Sequence, residues 1–116
     1  MGASIALEMQ RSGRTTVVVD KGSAVGGGST SSSSAVVRYN FSTLAGVTAA
    51  WESAHRWWAW ADHLGMPGHT GPLAAFRRCP MLFLEPAGFD RDRMVGLLAE
   101  VGVGHEVLDS GALAER

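Results

Sequence analysis

The stretch from residue 17 to residue 38, VVVDKGSAVGGGSTSSSSAVVR, decides how the fold of this 116-residue chain is interpreted. Three valines end in Asp20, a glycine cluster follows, and the hydroxyl residues 29–34 lead through Ala35 into two valines and Arg38. Composition alone fits two structures. Gly and Ser runs are typical of flexible linkers, but they also form walls that let a bound anion approach the backbone closely.

The residues before this stretch predict a helix that feeds a buried strand. GASIALEMQRSG places Ile5 and Met9 on one helical face, and Gly13 is a suitable end for that helix. TTVVV, residues 15–19, is a run of β-branched residues, which is typical of a strand buried on both faces of a parallel sheet. A linker normally separates two complete units, whereas only one helix and one strand precede this segment. The flanks therefore favour an ordered wall over a linker.

Downstream, the sequence predicts one long helix, a second amphipathic helix and the start of a third. Apolar residues from Leu44 to Ala61 recur every three or four positions, and Gly65 and Pro67 end the pattern. DRDRMVGLLAEVG and DSGALAER predict the other two helices, while MLFLE and HEVL are short strand candidates. The predicted helix caps are Ser42 or Thr43, Asp90, and Asp109 or Ser110.

The bulk composition excludes several classes of protein. The net charge is −1 with mixed signs along the chain, whereas non-specific nucleic-acid binding needs clustered Lys and Arg. No apolar run approaches the ~20 residues that span a bilayer. Cys79 is the single cysteine, so no disulfide can form within the chain. We therefore expect a cytoplasmic protein with neither a nucleic-acid nor a membrane partner.

The spacing of one glycine and one acid suits a dinucleotide-binding unit. In such a unit a glycine loop opens a helix, and an acid at the end of the second strand, about 20 residues on, binds the adenosine ribose. Gly2 opens the predicted helix, and Asp20 follows the three valines at the end of the predicted strand. The first strand and the first two glycines of the fingerprint are not in the chain. The spacing alone leaves NAD and FAD open as the nucleotide.

The segment GASIALEMQRSGRTTVVVDKGSAVGGGSTSSSSAVVRYNFS resembles the N-terminal part of FAD-dependent oxidoreductases of the D-amino acid oxidase superfamily. It is most similar to the branch with sarcosine oxidase beta subunits, dimethylglycine dehydrogenase and glycine oxidase. The resemblance implies FAD as cofactor and oxidation of a C–N bond in a small amino acid or N-methylated amine. It also implies that Arg38 meets the substrate carboxylate. The cofactor-binding residues that it implies are Gly2, Asp20, Lys21, Gly28, Ser29, Thr30, Ser31, Ser34, Ala35 and Val36.

The resemblance also implies the domain organisation. The fold class expected is α/β, with a partial Rossmann-like FAD-binding unit over residues 1–75 that lacks its first strand. Residues 76–116 would begin a mixed α+β substrate domain. We expect the chain to be a fragment that folds poorly and is inactive by itself, since the strand at residues 15–19 lacks a neighbour. An electron acceptor or other subunits are possible partners, and the catalytic residues are unknown.

Two further features have simpler interpretations than a functional site. The tryptophans at 51, 57, 58 and 60 can suggest a cage for an amine cation, but their helical spacing favours packing. Glu52, His55 and His63 lie along one side of the same helix, and three ligands on one helix cannot surround an ion, so we expect no metal. Two alternatives stay open: an NAD-binding fragment, and a non-enzymatic interaction module with a Gly/Ser linker and a Trp-rich helix.

Overall fold

The computed structural model describes residues 1–71 and 73–115 and divides the chain into two compact units, Met1–Val36 and Val37–Arg116. Five helices lie in these residues: α1 (Gly2–Arg11), α2 (Leu44–Trp58), α3 (Trp60–His63), α4 (Arg91–Val101) and α5 (Ser110–Ala114). The predicted domain boundary near residue 75 falls inside the second unit. The assignment of residues 1–75 and 76–116 to two domains stays a prediction, because the units reflect contacts within this chain alone.

The first unit consists of α1 and a long irregular segment. The helix ends where the sequence predicts, with Ser12 as its C-cap and Gly13 at a φ of 79°, a left-handed conformation that favours glycine. The predicted apolar face of α1 is open, and Ile5 is 60% exposed. The rest of the unit is irregular, and every residue in 17–36 is exposed.

The second unit is built on helix α2, which packs against α3 and α4. Its core is small: Val47 and Ala54 are fully buried on α2, and Val103 is 6% exposed just after α4. Arg93 on α4 donates from Nη2 to the carbonyl of Ser42 at 3.1 Å, which joins the beginnings of the two helices. Burying these side chains contributes to the stability of this unit.

The helix caps follow the sequence closely. Thr43 accepts a hydrogen bond from the backbone N–H of Gly46 at 3.2 Å, Asp90 accepts one from Arg93 at 3.0 Å, and Asp109 accepts one from Ala112 at 2.8 Å. Each side chain replaces a partner that the first turn of a helix lacks. The predicted caps are thereby confirmed, and Thr43 and Asp109 are the residues used where two were open.

The long helix predicted from residue 44 to Gly65 is wrong in one respect, because it is interrupted. Ala59 has a φ of −116° and a ψ of 50°, outside the helical range, so α2 ends at Trp58 and α3 begins at Trp60. The indole rings of Trp57 and Trp60 stack across this break at 4.7 Å. The apolar stripe therefore continues through an interruption of the helix that the spacing of its residues does not reveal.

No strand is present in the part of the chain that the structure describes. The segments TTVVV, MLFLE and HEVL, at 15–19, 81–85 and 105–108, are irregular where the sequence predicts strands. A strand exists only when a second strand completes its hydrogen-bond ladder, and no described segment does so here. The α/β fold class is therefore still a prediction. None of the described helices has the length and apolar character needed to cross a membrane.

Candidate functional site

The N-terminus of α1 holds the first residue predicted to bind the cofactor. Gly2 begins the helix, and a Cβ added to Gly2 would meet no heavy atom within 4 Å. Met1 occupies the cap position without a side-chain hydrogen bond, and the first turn contains no acidic residue. The first N–H groups of the helix are therefore not capped by a side chain. Such groups, together with the positive end of the helix dipole, form a binding site for an anion.

Asp20 is held by a local turn at the end of the valine run. Its Oδ1 accepts a hydrogen bond from the backbone N–H of Gly22 at 2.7 Å, which is an Asx turn. A Cβ on residue 22 would lie 3.1 Å from the same Oδ1, so glycine lets the turn close tightly. The turn orients the carboxylate and leaves Oδ2 without a hydrogen bond in the described residues. Lys21 follows directly and is exposed.

The Gly/Ser segment folds into consecutive turns rather than a regular element. The hydroxyl of Ser31 donates to the carbonyl of Gly28 at 3.0 Å, and the hydroxyl of Ser33 accepts from the N–H of Ala35 at 3.0 Å. Ser29, Thr30 and Ser34 are exposed with them. Small side chains and turn geometry leave the backbone N–H groups of such a segment open to a ligand.

Ala35 has an unusual backbone conformation for its residue type. Its φ is 53°, which makes it the one non-glycine residue with a positive φ in the described chain. This region is sparsely populated for residues with a Cβ, and strain of this kind concentrates at ligand-binding sites. Val36 follows and is 65% exposed. Both residues belong to the stretch that the sequence predicts to contact a cofactor.

Arg38 lies near the start of the second unit, beside an aromatic ring. Its guanidinium carbon lies 5.4 Å from the centroid of the Phe41 ring, and the residue is exposed. A cation over the face of a ring is attracted by the ring's negative face. Within the described residues the Arg38 guanidinium makes this ring contact and no hydrogen bond, so its N–H groups can bind a carboxylate.

The whole chain, residues 1–116, matches the family model described as FAD dependent oxidoreductase. The chain belongs to this family. Comparison with curated proteins and with solved structures gives no match. FAD is therefore the cofactor, as the sequence predicts, and an FAD-dependent oxidoreductase activity is the activity of the family.

The residues of the first unit fit FAD. The cofactor carries a pyrophosphate, which needs uncapped N–H groups and close approach, and the start of α1 at Gly2 offers both. FAD also carries a ribose whose hydroxyls can donate to a carboxylate. Asp20 supplies this carboxylate directly after the valine run, where a dinucleotide-binding unit has its acid. The exposed serine and threonine hydroxyls can donate to phosphate oxygens. These roles of individual residues remain predictions.

The tryptophans of this chain lie in two separate aromatic clusters. Trp51 contacts Tyr39 and Trp58 edge to face, at 5.3 and 5.5 Å between ring centroids. Trp57 stacks on Trp60 and, at 6.0 Å, on Phe76. Edge-to-face and offset-stacked pairs are the favoured geometries for aromatic packing. The spacing correctly places Trp51 and Trp58 together and Trp57 and Trp60 on a neighbouring face.

One face of Trp58 already carries a cation from the protein itself. The guanidinium carbon of Arg78 lies 4.1 Å from the Trp58 ring centroid. His55 lies on the same cluster, 4.7 Å from Trp58, and its Nδ1 is 3.2 Å from the carbonyl oxygen of Trp51. The Arg78 side chain thus occupies a position that a cage would offer to an amine. Within the described residues, no group of three His, Cys, Asp or Glu side chains is placed to hold a metal ion.

An ion pair that the sequence analysis missed closes the loop before α4. Arg91 donates from Nε and Nη2 to the two carboxylate oxygens of Glu85, both at 2.7 Å. These hydrogen bonds are the main reason that the pKa of Glu85 is held below its ordinary value, and Glu85 in turn raises the pKa of Arg91. The signal for this pair in the sequence is the spacing: Glu85 and Arg91 lie six positions apart, with Pro86 and Asp90 between them.

Proposed function

We propose that this chain belongs to an enzyme that oxidises the C–N bond of a small amino acid or N-methylated amine. The single observation that carries the proposal is the match of residues 1–116 to the FAD dependent oxidoreductase family. The narrower substrate class rests on the resemblance of residues 2 to about 65 to the branch with sarcosine oxidase beta subunits, dimethylglycine dehydrogenase and glycine oxidase. We also propose the corresponding fold, a partial Rossmann-like unit in which residues 15–19 pair within a parallel sheet.

The chain's own residues would bind and orient in this reaction. The first N–H groups of α1 at Gly2 bind the pyrophosphate, and Asp20 accepts hydrogen bonds from the ribose. Lys21 lies near the adenine side. The hydroxyls and backbone of the Gly/Ser segment surround the phosphates and the sugar alcohol chain, with these residues in contact: Gly28, Ser29, Thr30, Ser31, Ser34, Ala35 and Val36.

Arg38 is proposed to orient the substrate. A guanidinium makes two parallel hydrogen bonds to one carboxylate, which fixes the orientation of an amino acid more strongly than a single bond. When bound, FAD would supply the acceptor for a hydride from the carbon beside the amine nitrogen, and Arg38 would hold that carbon in place through the substrate carboxylate. An electron acceptor or a further subunit is a proposed partner, and a cytoplasmic location is proposed for the enzyme.

The cofactor site is tested by titrating the purified chain with FAD while flavin fluorescence is followed. We expect weak, saturable binding that Asp20→Ala reduces roughly 10- to 150-fold, since the variant loses charge-assisted hydrogen bonds worth about 1.5–3 kcal/mol. Glu52→Ala is the control, because Glu52 is an exposed acid of the second unit. Equal FAD affinity in the Asp20→Ala variant and the parent chain would show that this carboxylate does not bind the ribose.

Limited proteolysis compares the cofactor wall with the alternative of a linker. Every residue in 17–36 is exposed, which is the observation that favours the linker. A cofactor wall between Gly26 and Ser34 is cut quickly without FAD and slowly with it. A linker is cut at the same rate in both conditions, and that result would favour the interaction module.

The substrate class is tested on the purified protein loaded with FAD. Mixed without oxygen with N-methylated glycines, small amino acids or 2-hydroxy acids, the flavin should lose its visible absorbance with the amines. Arg38→Lys should raise KM for the amino acid, because lysine cannot form the paired hydrogen bonds. Bleaching by 2-hydroxy acids alone would overturn the proposed amine chemistry while leaving the family assignment intact.

A further inference from the structure

The segment that follows Arg38 is attached to helix α2 at two points. The ring of Tyr39 meets the ring of Trp51 edge to face, with 5.3 Å between their centroids. Phe41 lies against the first turn of the helix, since a Cβ added to Gly46 would lie 2.9 Å from the Cβ of Phe41 and 3.3 Å from its Cγ. The absence of a side chain at Gly46 therefore gives Phe41 its place on the helix.

Hydrogen bonds restrict the backbone around Phe41. Its N–H donates to the carbonyl of Tyr39 at 2.9 Å, which closes a turn of three residues. The carbonyl of Ser42 accepts from Nη2 of Arg93 at 3.1 Å, which joins the next residue to α4. Because the backbone is bonded on both sides and Cγ is in contact with Gly46, the direction of the ring is fixed. Phe41 is thus held in place although it is 37% exposed.

The ring of Phe41 is the contact that the Arg38 side chain makes within the described residues. The guanidinium carbon lies 5.4 Å from the ring centroid. An exposed arginine without such a contact samples many rotamers, and binding a carboxylate then costs the entropy of fixing one of them. A ring that already holds the guanidinium removes part of this cost in advance. The N–H groups, which lie in the guanidinium plane, stay available for the paired hydrogen bonds to a carboxylate.

We propose that Phe41 is a positioning residue for the substrate, because its ring holds the Arg38 guanidinium where it binds the substrate carboxylate. The inference rests on the proposed function, since it needs Arg38 to be the residue that meets this carboxylate. The ring contact is the same before and during the reaction, so its loss should raise KM and leave kcat unchanged. The expected rise is about two- to fivefold, which corresponds to a cation over a ring at an exposed site.

Steady-state kinetics of the purified protein loaded with FAD measure this effect, with the amino acid that bleaches the flavin as substrate. Phe41→Leu keeps an apolar side chain but removes the ring, and should raise KM about two- to fivefold. Phe41→Tyr keeps the ring and should have a KM within about twofold of the parent protein. Phe83→Leu is the matched control, because Phe83 is 39% exposed and its ring contacts Phe89 rather than a cation.

An Arg38→Met background separates a role through Arg38 from a general effect on the fold. Arg38→Met removes the guanidinium and should raise KM by itself. Phe41→Leu added to this background should raise KM no further, since the two side chains act as one unit. Independent roles would instead multiply the two increases in KM, and that result would contradict positioning through Arg38.

The ring contact itself is measured by NMR on the chain without FAD. The face of an aromatic ring shields nearby protons, so the Nε–H signal of Arg38 should lie upfield in the parent chain. Phe41→Leu should move this signal downfield, whereas Phe41→Tyr should leave it in place. A signal that Phe41→Leu does not move would show that the contact is absent in solution, which overturns the inference without reference to activity.

The kinetic results distinguish failure of this inference from failure of the proposed function. If Arg38→Met raises KM and Phe41→Leu does not, the substrate role of Arg38 stands and positioning by Phe41 is refuted. If Arg38→Met leaves KM unchanged, or if no amino acid bleaches the flavin, the proposed function fails and the inference fails with it.

Discussion

Gly46 and Gly96 both lie inside helices, yet replacing each by alanine should change the stability of the second unit in opposite directions. Alanine in a helix is normally more stable than glycine by about 0.8–1.0 kcal/mol, because glycine loses more backbone entropy on folding. Gly96 in α4 has open space, with nothing within 4 Å of an added Cβ. Gly96→Ala should therefore raise the free energy of unfolding by about 1 kcal/mol.

The surroundings of Gly46 reverse the sign. A Cβ there would lie 2.9 Å from the Cβ of Phe41 and 3.1 Å from the cap oxygen of Thr43. The Cβ of Phe41 is attached to the backbone and cannot turn away, so either the helix start or residue 41 must shift. Such overpacking costs about 1–3 kcal/mol, which exceeds the gain in helix propensity. We expect Gly46→Ala to lower the free energy of unfolding by about 1 kcal/mol.

Urea unfolding followed by tryptophan fluorescence measures both variants, since all four tryptophans lie on α2 and α3. The two variants should differ by about 2 kcal/mol, well outside the error of the method. If Gly46→Ala stabilises the chain as much as Gly96→Ala, the close approach of Phe41 to the helix is not present in solution. A lower midpoint for Gly96→Ala would instead refute the open space at that position.

Two further substitutions have expected outcomes. Thr43→Ala should cost about 1 kcal/mol in urea unfolding, because it removes the oxygen that accepts from the first turn of α2, whereas Ser42→Ala should change little. For Glu85, the folded state lowers its pKa through hydrogen bonds from Arg91, so the pair stabilises the fold above the ordinary glutamate pKa. That contribution is lost as the pH falls through the lowered pKa. Melting temperatures of the parent chain and Glu85→Gln should therefore differ at neutral pH and converge in acid. If the difference in melting temperature were the same at neutral and acid pH, the Glu85–Arg91 pair would not be the source of the stabilisation.

The sequence predicts the helices well because their signals are local. Thr43, Asp90 and Asp109 cap helices where hydroxyl or carboxylate residues precede an apolar repeat, and each accepts its hydrogen bond from the backbone N–H three residues on. The break at Ala59 was not predictable, because the apolar spacing runs through it unchanged. The strand at residues 15–19 depends on a partner strand, and no pattern within TTVVV supplies one.

The candidate site shows the same division between local and distant signals. Residue types favour the turn at Asp20 and the turns of the Gly/Ser segment, but only a strand end and an ordered wall were predicted there from the sequence. The left-handed backbone at Ala35 was not foreseen, because nothing in its residue type favours a positive φ. The cation over Trp58 was missed as well, since Arg78 reaches it from a segment outside the helix.

The hydrogen bond from Arg93 to the carbonyl of Ser42 joins residues 51 positions apart. This hydrogen bond closes a loop of the chain that begins beside the start of α2 and ends at the start of α4. The entropy lost in closing a loop rises only with the logarithm of its length, so doubling this one would cost about 0.6 kcal/mol. Closing such a loop is slow, however, because the chain loses entropy before the contact between the distant residues stabilises the fold. Insertions between α3 and α4 should therefore slow folding of this unit more than they reduce its stability.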